Sequence, residues 1–60
     1  MPFVEILNEA DELNCVSARL AGLAELHPLV SEALMVISGN IRNTATLLAV
    51  LVEIKGLQLN

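Results

Sequence analysis

The His27-Pro28 step divides this 60-residue chain into two segments of similar length. Proline cannot continue a helix from the preceding turn, but it fits the first turn of a new helix. In both segments apolar residues recur every three or four positions, which is the helical period, and each segment is far longer than a typical strand. We therefore predict an all-α protein, with helices over about residues 3–26 and 28–55.

Two helices joined by a short loop form an antiparallel hairpin, here a single domain that covers residues 1–60. Counting outward from the loop pairs Leu13 with Ile41 and Ala10 with Thr44. The helical period predicts the inward face of the first helix. That face contains Phe3, Ile6, Leu7, Ala10, Leu13, Ser17, Leu20, Ala21 and Ala24.

The weakest point of the second helix is Ser38-Gly39-Asn40. Glycine inside a helix costs about 1 kcal/mol relative to alanine, and Asn40 is a residue type that caps new helices. The apolar stripe keeps its phase across this point, so we favour one continuous helix, with a kink or break at residues 38–40 as the alternative. The predicted stripe contains Val30, Ala33, Leu34, Ile37, Ile41, Thr44, Leu48, Leu51 and Ile54.

The chain holds more apolar residues than one hairpin can bury. It is 55% hydrophobic and 17% charged, and a helix with one neighbour buries only about three positions in seven. A two-fold dimer of hairpins, a four-helix bundle, covers the surplus, and a higher oligomer or a different protein partner does so as well. The surplus residues are Val4, Val16, Leu23, Leu29, Val36, Leu47, Val50 and Val52.

Thr44 interrupts the apolar stripe of the second helix. We favour a role in fixing the register of the assembly, as polar residues do in helical bundles. Alternatively, its hydroxyl bonds back to the Asn40 carbonyl and fixes nothing. The residues expected to form the core and the oligomer interface are Phe3, Ile6, Leu7, Leu13, Leu20, Ile37, Ile41, Thr44, Leu47, Leu48, Leu51 and Ile54.

The sequence offers little catalytic or metal-binding chemistry. Glu5, Glu9 and Glu12 share a helix face, but carboxylate metal sites in bundles usually include a Glu-x-x-His motif, and the one histidine, His27, lies at the loop. No serine has a nearby base. We therefore expect no enzyme activity and no metal or other cofactor, and we expect Cys15 to be a small buried apolar residue in a reducing compartment.

Charge argues against nucleic acid as a partner, because the net charge is −4 and only three residues are basic. The most apolar window, Ala33–Val52, contains Arg42 near its middle. A central arginine costs about 2.5–3.5 kcal/mol of insertion free energy, so we do not expect a membrane span. No basic residue precedes Arg19, which argues against a secretory signal, and we expect a cytoplasmic protein.

These observations predict a small self-associating helical-bundle protein that serves as an interaction or structural module. Its expected partner is a second copy of the chain. Two alternatives remain open at this stage. One is a regulatory or antitoxin-like subunit that folds against a different protein, and the other is a membrane-associated small protein.

Overall fold

A computed structural model describes the backbone of residues 2–59 and the side chains of residues 3–56. Helix α1 covers Pro2–Leu26, a short 3-10 turn covers Pro28–Val30, and helix α2 covers Ser31–Leu59. The two helices pack against each other along their length. The resulting hairpin is long and flat, with Cα extents of 49, 15 and 9 Å. The predicted all-helical hairpin is therefore confirmed.

The chain reverses direction at His27. Its backbone, at φ −129° and ψ 77°, lies outside the helical region, because the ring of a following proline disfavours helical angles in the residue before it. The Val30 N–H then donates to the His27 carbonyl oxygen over 3.1 Å, and the Ser31 N–H donates to the Pro28 carbonyl oxygen. The turn thus bonds its own backbone groups and leads directly into α2.

Helix α2 is continuous through Gly39, which confirms the favoured expectation over a break at residues 38–40. Ser38 is buried and Ile41 is half-buried on either side of the glycine. Both residues face α1, so the tertiary contact supports the helix where the local propensity is lowest.

The contact between the helices follows a heptad on each side. Buried and half-buried residues alternate at spacings of three and four, which is the pattern of helices packed at a shallow angle. In the middle of the contact every second position is small and buried, and the larger residues between these positions are half-buried. The contact residues are Phe3, Ile6, Ala10, Leu13, Ser17, Leu20 and Ala24 on α1, and Ser31, Leu34, Ser38, Ile41, Ala45, Leu48 and Val52 on α2.

The predicted stripe on α1 matches this contact except at Leu7, which is exposed. The predicted stripe on α2 is rotated by about one residue. Ser17 lies opposite Ser38, so one heptad further from the loop Ala10 is opposed by Ala45. Ala45 is 1% exposed, while its neighbour Thr44, the predicted partner of Ala10, is exposed. The prediction went wrong because it ranked threonine and isoleucine above serine and alanine as contact residues. The close approach of the two backbones instead favours the smallest side chains.

Candidate interaction surface

Helix α2 has a second face with heptad spacing, on the side away from α1. We name it the α2 outer face, and all its residues are exposed or only partly covered in the hairpin. Spacings of three and four again place these residues on one stripe of the helix. The α2 outer face consists of Leu29, in the middle of the turn, followed by Ala33, Val36, Asn40, Asn43, Leu47, Val50 and Ile54.

The two ends of the α2 outer face are apolar and its centre is polar. Leu29 is fully exposed, Val36 is 63% exposed and Leu47 is 67% exposed. Asn40 and Asn43 occupy the central turn between the apolar ends. Exposed leucines and valines in a continuous stripe are typical of surfaces that bind another macromolecule.

A second row of apolar residues lies beside the α2 outer face and widens it. Val30, Ile37 and Leu51 are each nearly half exposed. Each of these residues directly precedes a residue of the contact with α1. In an antiparallel pair of helices, the residues at that position on both helices lie on the same flank of the pair. Leu23 of α1 is such a position and is 42% exposed. The apolar surface therefore extends from the α2 outer face around one flank of the hairpin.

The corresponding outer face of α1 is polar along most of its length. Only its loop end is apolar, where Leu26 is 73% exposed. The hairpin is thus two-sided, with α1 turned toward water and α2 presenting an uncovered apolar surface. The outer face of α1 contains Glu5, Asn8, Glu12, Cys15, Arg19, Gly22 and Leu26.

The residues expected to form the core and interface divide into two groups. Those that contact the other helix of the hairpin are half-buried. The others are exposed, and on α2 they lie on the outer face or its flank. The half-buried group is Phe3, Ile6, Leu13, Leu20, Ile41 and Leu48, and the exposed group is Leu7, Ile37, Thr44, Leu47, Leu51 and Ile54.

Sequence reasoning missed Ser31, Ser38 and Ala45 as contact residues of α2. The available signal was a seven-residue spacing of small side chains, which recurs on α1 at Ala10, Ser17 and Ala24. These small residues include all five positions that are buried in the described part of the chain, namely Ala10, Ser17, Ala24, Ser38 and Ala45.

The polar residues singled out from the sequence are mostly exposed. Cys15 is exposed, so its expected burial is wrong; it lies on the outer face of α1, opposite the contact with α2. His27 is exposed in the loop. The Thr44 hydroxyl donates to the Asn40 carbonyl oxygen over 3.0 Å, which is the hydrogen bond of the local alternative. Within residues 2–59, no group of three or more His, Cys, Asp or Glu side chains is placed to hold a metal ion.

The stretch Pro28–Gly56 is long and apolar enough to cross a membrane, judged by length and composition. Only 11% of its most apolar window is buried in the hairpin. The polar residues Asn40, Arg42 and Asn43 lie near the middle of this stretch. The same segment thus accounts for both the apolar surface and the membrane-like composition.

Comparison with known proteins identifies no relative. No protein-family model matches the chain, no curated protein has significant sequence similarity to it, and no solved structure matches its fold significantly.

Proposed function

We propose that this protein is a small self-associating module that acts by binding protein through the α2 outer face, without catalysis. The observation that carries the proposal is that the hairpin buries small side chains and leaves most of its large apolar side chains exposed. Among the described side chains, the buried ones are all alanine or serine, and the largest fully buried side chain is Ser17. Within residues 3–56, thirteen large apolar side chains are exposed.

This imbalance bears directly on stability. Burying a valine or leucine side chain contributes about 1.5–3 kcal/mol, whereas an alanine or serine contributes much less. A chain of this length without a disulfide usually needs oligomerisation or another support for its fold. A dimer of hairpins joined through α2 covers the exposed apolar residues of α2 and leaves the polar face of α1 in water. The result is a flattened four-helix bundle with the two α2 helices in the middle.

The experiment is sedimentation equilibrium of the purified chain over a range of concentrations, with helix content measured in parallel. We expect a helical species of twice the chain mass that dissociates on dilution. A helical monomer at high concentration would contradict the proposal. A chain that is unfolded or aggregated alone, and folds on mixing with another protein, would support the subunit alternative instead.

The composition of Pro28–Gly56 also favours a second candidate, association with a membrane surface or interior. Its test is flotation with phospholipid vesicles, using neutral and anionic compositions. The self-association proposal predicts that the dimeric chain stays in the soluble fraction with both. Flotation with neutral vesicles at the expense of the dimer would favour the membrane candidate, because a chain of net charge −4 gains no attraction from anionic lipid.

A further inference from the structure

We infer that the second copy binds with its α2 helix antiparallel to the first, with the two-fold axis between Asn40 and Asn43. This inference rests on the self-association proposed above and specifies its geometry. It follows from the order of residues along the α2 outer face.

The α2 outer face is self-complementary when it is reversed. Its residue types run apolar, small, apolar, then two asparagines, then three apolar residues. When a second copy of α2 runs in the opposite direction and is centred on the midpoint between the two asparagines, every apolar or small residue of one copy lies opposite an apolar or small residue of the other. The layers pair Leu29 with Ile54, Ala33 with Val50, Val36 with Leu47 and Asn40 with Asn43 of the second copy.

Among antiparallel arrangements, the pairing of the asparagines selects this register. A primary amide has two donor hydrogens and an accepting carbonyl oxygen, so Asn40 and Asn43 of the second copy can satisfy each other. The two-fold axis generates this pair twice, on either side of the axis. In an antiparallel arrangement shifted by one turn, Asn40 instead meets Leu47 of the second copy and its amide is desolvated without a partner. A polar layer of this kind fixes register and orientation in helical bundles.

The neighbouring positions agree with the same register. On the apolar flank, Val30 lies beside Leu51 of the second copy, and Ile37 lies beside Thr44. The hydroxyl of Thr44 is already bonded to its own helix, so this residue presents mainly its methyl group. The flank therefore adds apolar contact without leaving a polar group unsatisfied.

The available area is sufficient for a stable dimer. At 1.5 Å per residue, the stripe from residue 29 to residue 54 is about 38 Å long. A helix with its side chains is about 10–12 Å in diameter, so the half of α2 that faces away from α1 measures about 17 Å around. A contact of that length and width covers on the order of 700 Å² on each partner, which is within the range of standard interfaces. That is roughly one seventh of the 4622 Å² surface of the hairpin.

On the other flank, the antiparallel register brings two acidic residues together. Glu32 lies beside Glu53 of the second copy, and both are exposed. Like charges at such positions weaken association, and opposite charges strengthen it. This flank distinguishes antiparallel from parallel pairing, because in a parallel dimer Glu32 of one copy lies about 32 Å from Glu53 of the other along the helices.

The test uses single-cysteine variants in a Cys15→Ser background, since Cys15 is exposed and could form disulfides of its own. A mixture of Val36→Cys and Leu47→Cys should cross-link on mild oxidation, whereas Val36→Cys alone should not. In the inferred register, the two copies of residue 36 are separated by about 16 Å along the helix, and a disulfide requires Cα atoms within about 7 Å. These positions are exposed in the hairpin, so circular dichroism should show unchanged helix content.

The outcomes separate this inference from the proposed function. Ready cross-linking of Val36→Cys with itself, in a species of dimer mass, would overturn the antiparallel arrangement while self-association stands. Preferential cross-linking of Val36→Cys with Val50→Cys would overturn the register. A monomer at all concentrations would overturn both the inference and the proposed function.

A charge substitution gives an independent measurement. Glu53→Lys should lower the dimer dissociation constant about two- to tenfold at low salt, because each introduced lysine then lies beside Glu32 of the other copy. The double variant Glu32→Lys with Glu53→Lys should lose this gain, since it restores like charges. Unchanged or weaker association of Glu53→Lys would contradict the inference, because in a parallel dimer the introduced lysine lies about 32 Å from Glu32 of the other copy and gains no opposite charge.

Discussion

Ser17 and Ser38 are joined across the centre of the hairpin by their hydroxyl groups. The Ser17 hydroxyl donates to the Ser38 carbonyl oxygen over 2.9 Å, and the Ser38 hydroxyl donates to the Ser17 carbonyl oxygen over 2.7 Å. The two hydroxyl oxygens are 2.9 Å apart. Each hydroxyl has one hydrogen, so when both donate to carbonyl oxygens the oxygen–oxygen approach is a close contact rather than a third hydrogen bond. The pair holds the two backbones together at a fixed register.

The first prediction concerns this serine pair. Ser17→Ala should lower the free energy of unfolding by only about 0.5–1.5 kcal/mol, because the Ser38 hydroxyl keeps its acceptor on the backbone of residue 17. Ser17→Leu should cost more, about 2 kcal/mol or above, because the backbones approach too closely for a large side chain. Urea denaturation followed by circular dichroism at one fixed protein concentration measures both. Equal effects of the two substitutions would mean that the helices are not in close contact at this point.

The second prediction tests the phase of α2 with adjacent residues. Ala45→Leu should lower the free energy of unfolding by about 1–3 kcal/mol, since Ala45 is 1% exposed in the helix contact. Thr44→Leu, its matched control, should not lower it, because Thr44 is exposed in the hairpin. The reverse order of effects would restore the phase predicted from the sequence.

Sequence patterning was sufficient for the hairpin but not for the rotation of α2. The proline at residue 28 and the helical period fix the two helices and the loop. On α1, polar residues such as Glu5 and Glu12 occupy the outer face, so the inward face is easier to recognise. On α2, apolar residues occur on several sides, and a period alone cannot choose among them. The choice depends on how closely the two backbones approach each other. Small residues such as Ser38 and Ala45 permit a close approach, but they do not stand out in a hydropathy pattern.

The candidate interaction surface was predictable in part for the same reason. Leu47, Leu51 and Ile54 belong to the residues expected at the core and interface, and they remain exposed on or beside the α2 outer face. The sequence alone does not show that Leu48 contacts α1 while these three residues do not, because that distinction depends on the register in which Ser17 lies opposite Ser38. The same register places Asn40 and Asn43 together at the centre of the α2 outer face.

The third prediction concerns the glycine in the middle of α2. Gly39→Ala should raise the free energy of unfolding by about 0.5–1 kcal/mol, because alanine loses less backbone entropy in a helix. A Cβ atom at this position meets no atom within 4 Å in the hairpin. Gly22→Ala in α1, where the space is equally open, should have the same effect, and the exposed Ala18→Gly should have the opposite one. A loss of stability specific to Gly39→Ala would show that this glycine is needed for close contact with a second chain.

The final prediction separates folding of the hairpin from association of two hairpins, using the neighbours Leu47 and Leu48. Leu48 is half-buried against α1, whereas Leu47 is 67% exposed on the α2 outer face. Leu48→Ala should lower the free energy of unfolding by about 2 kcal/mol, at the lower end of leucine truncations because the residue is not fully buried. Leu47→Ala should leave the intrinsic stability of the hairpin nearly unchanged and instead raise the dissociation constant of the dimer. Sedimentation equilibrium measures the dissociation constant of the dimer directly, and helix content at the lowest protein concentrations reports on the hairpin without its partner. If Leu47→Ala leaves the dissociation constant unchanged, Leu47 lies outside the dimer contact and the assignment of the two faces is wrong.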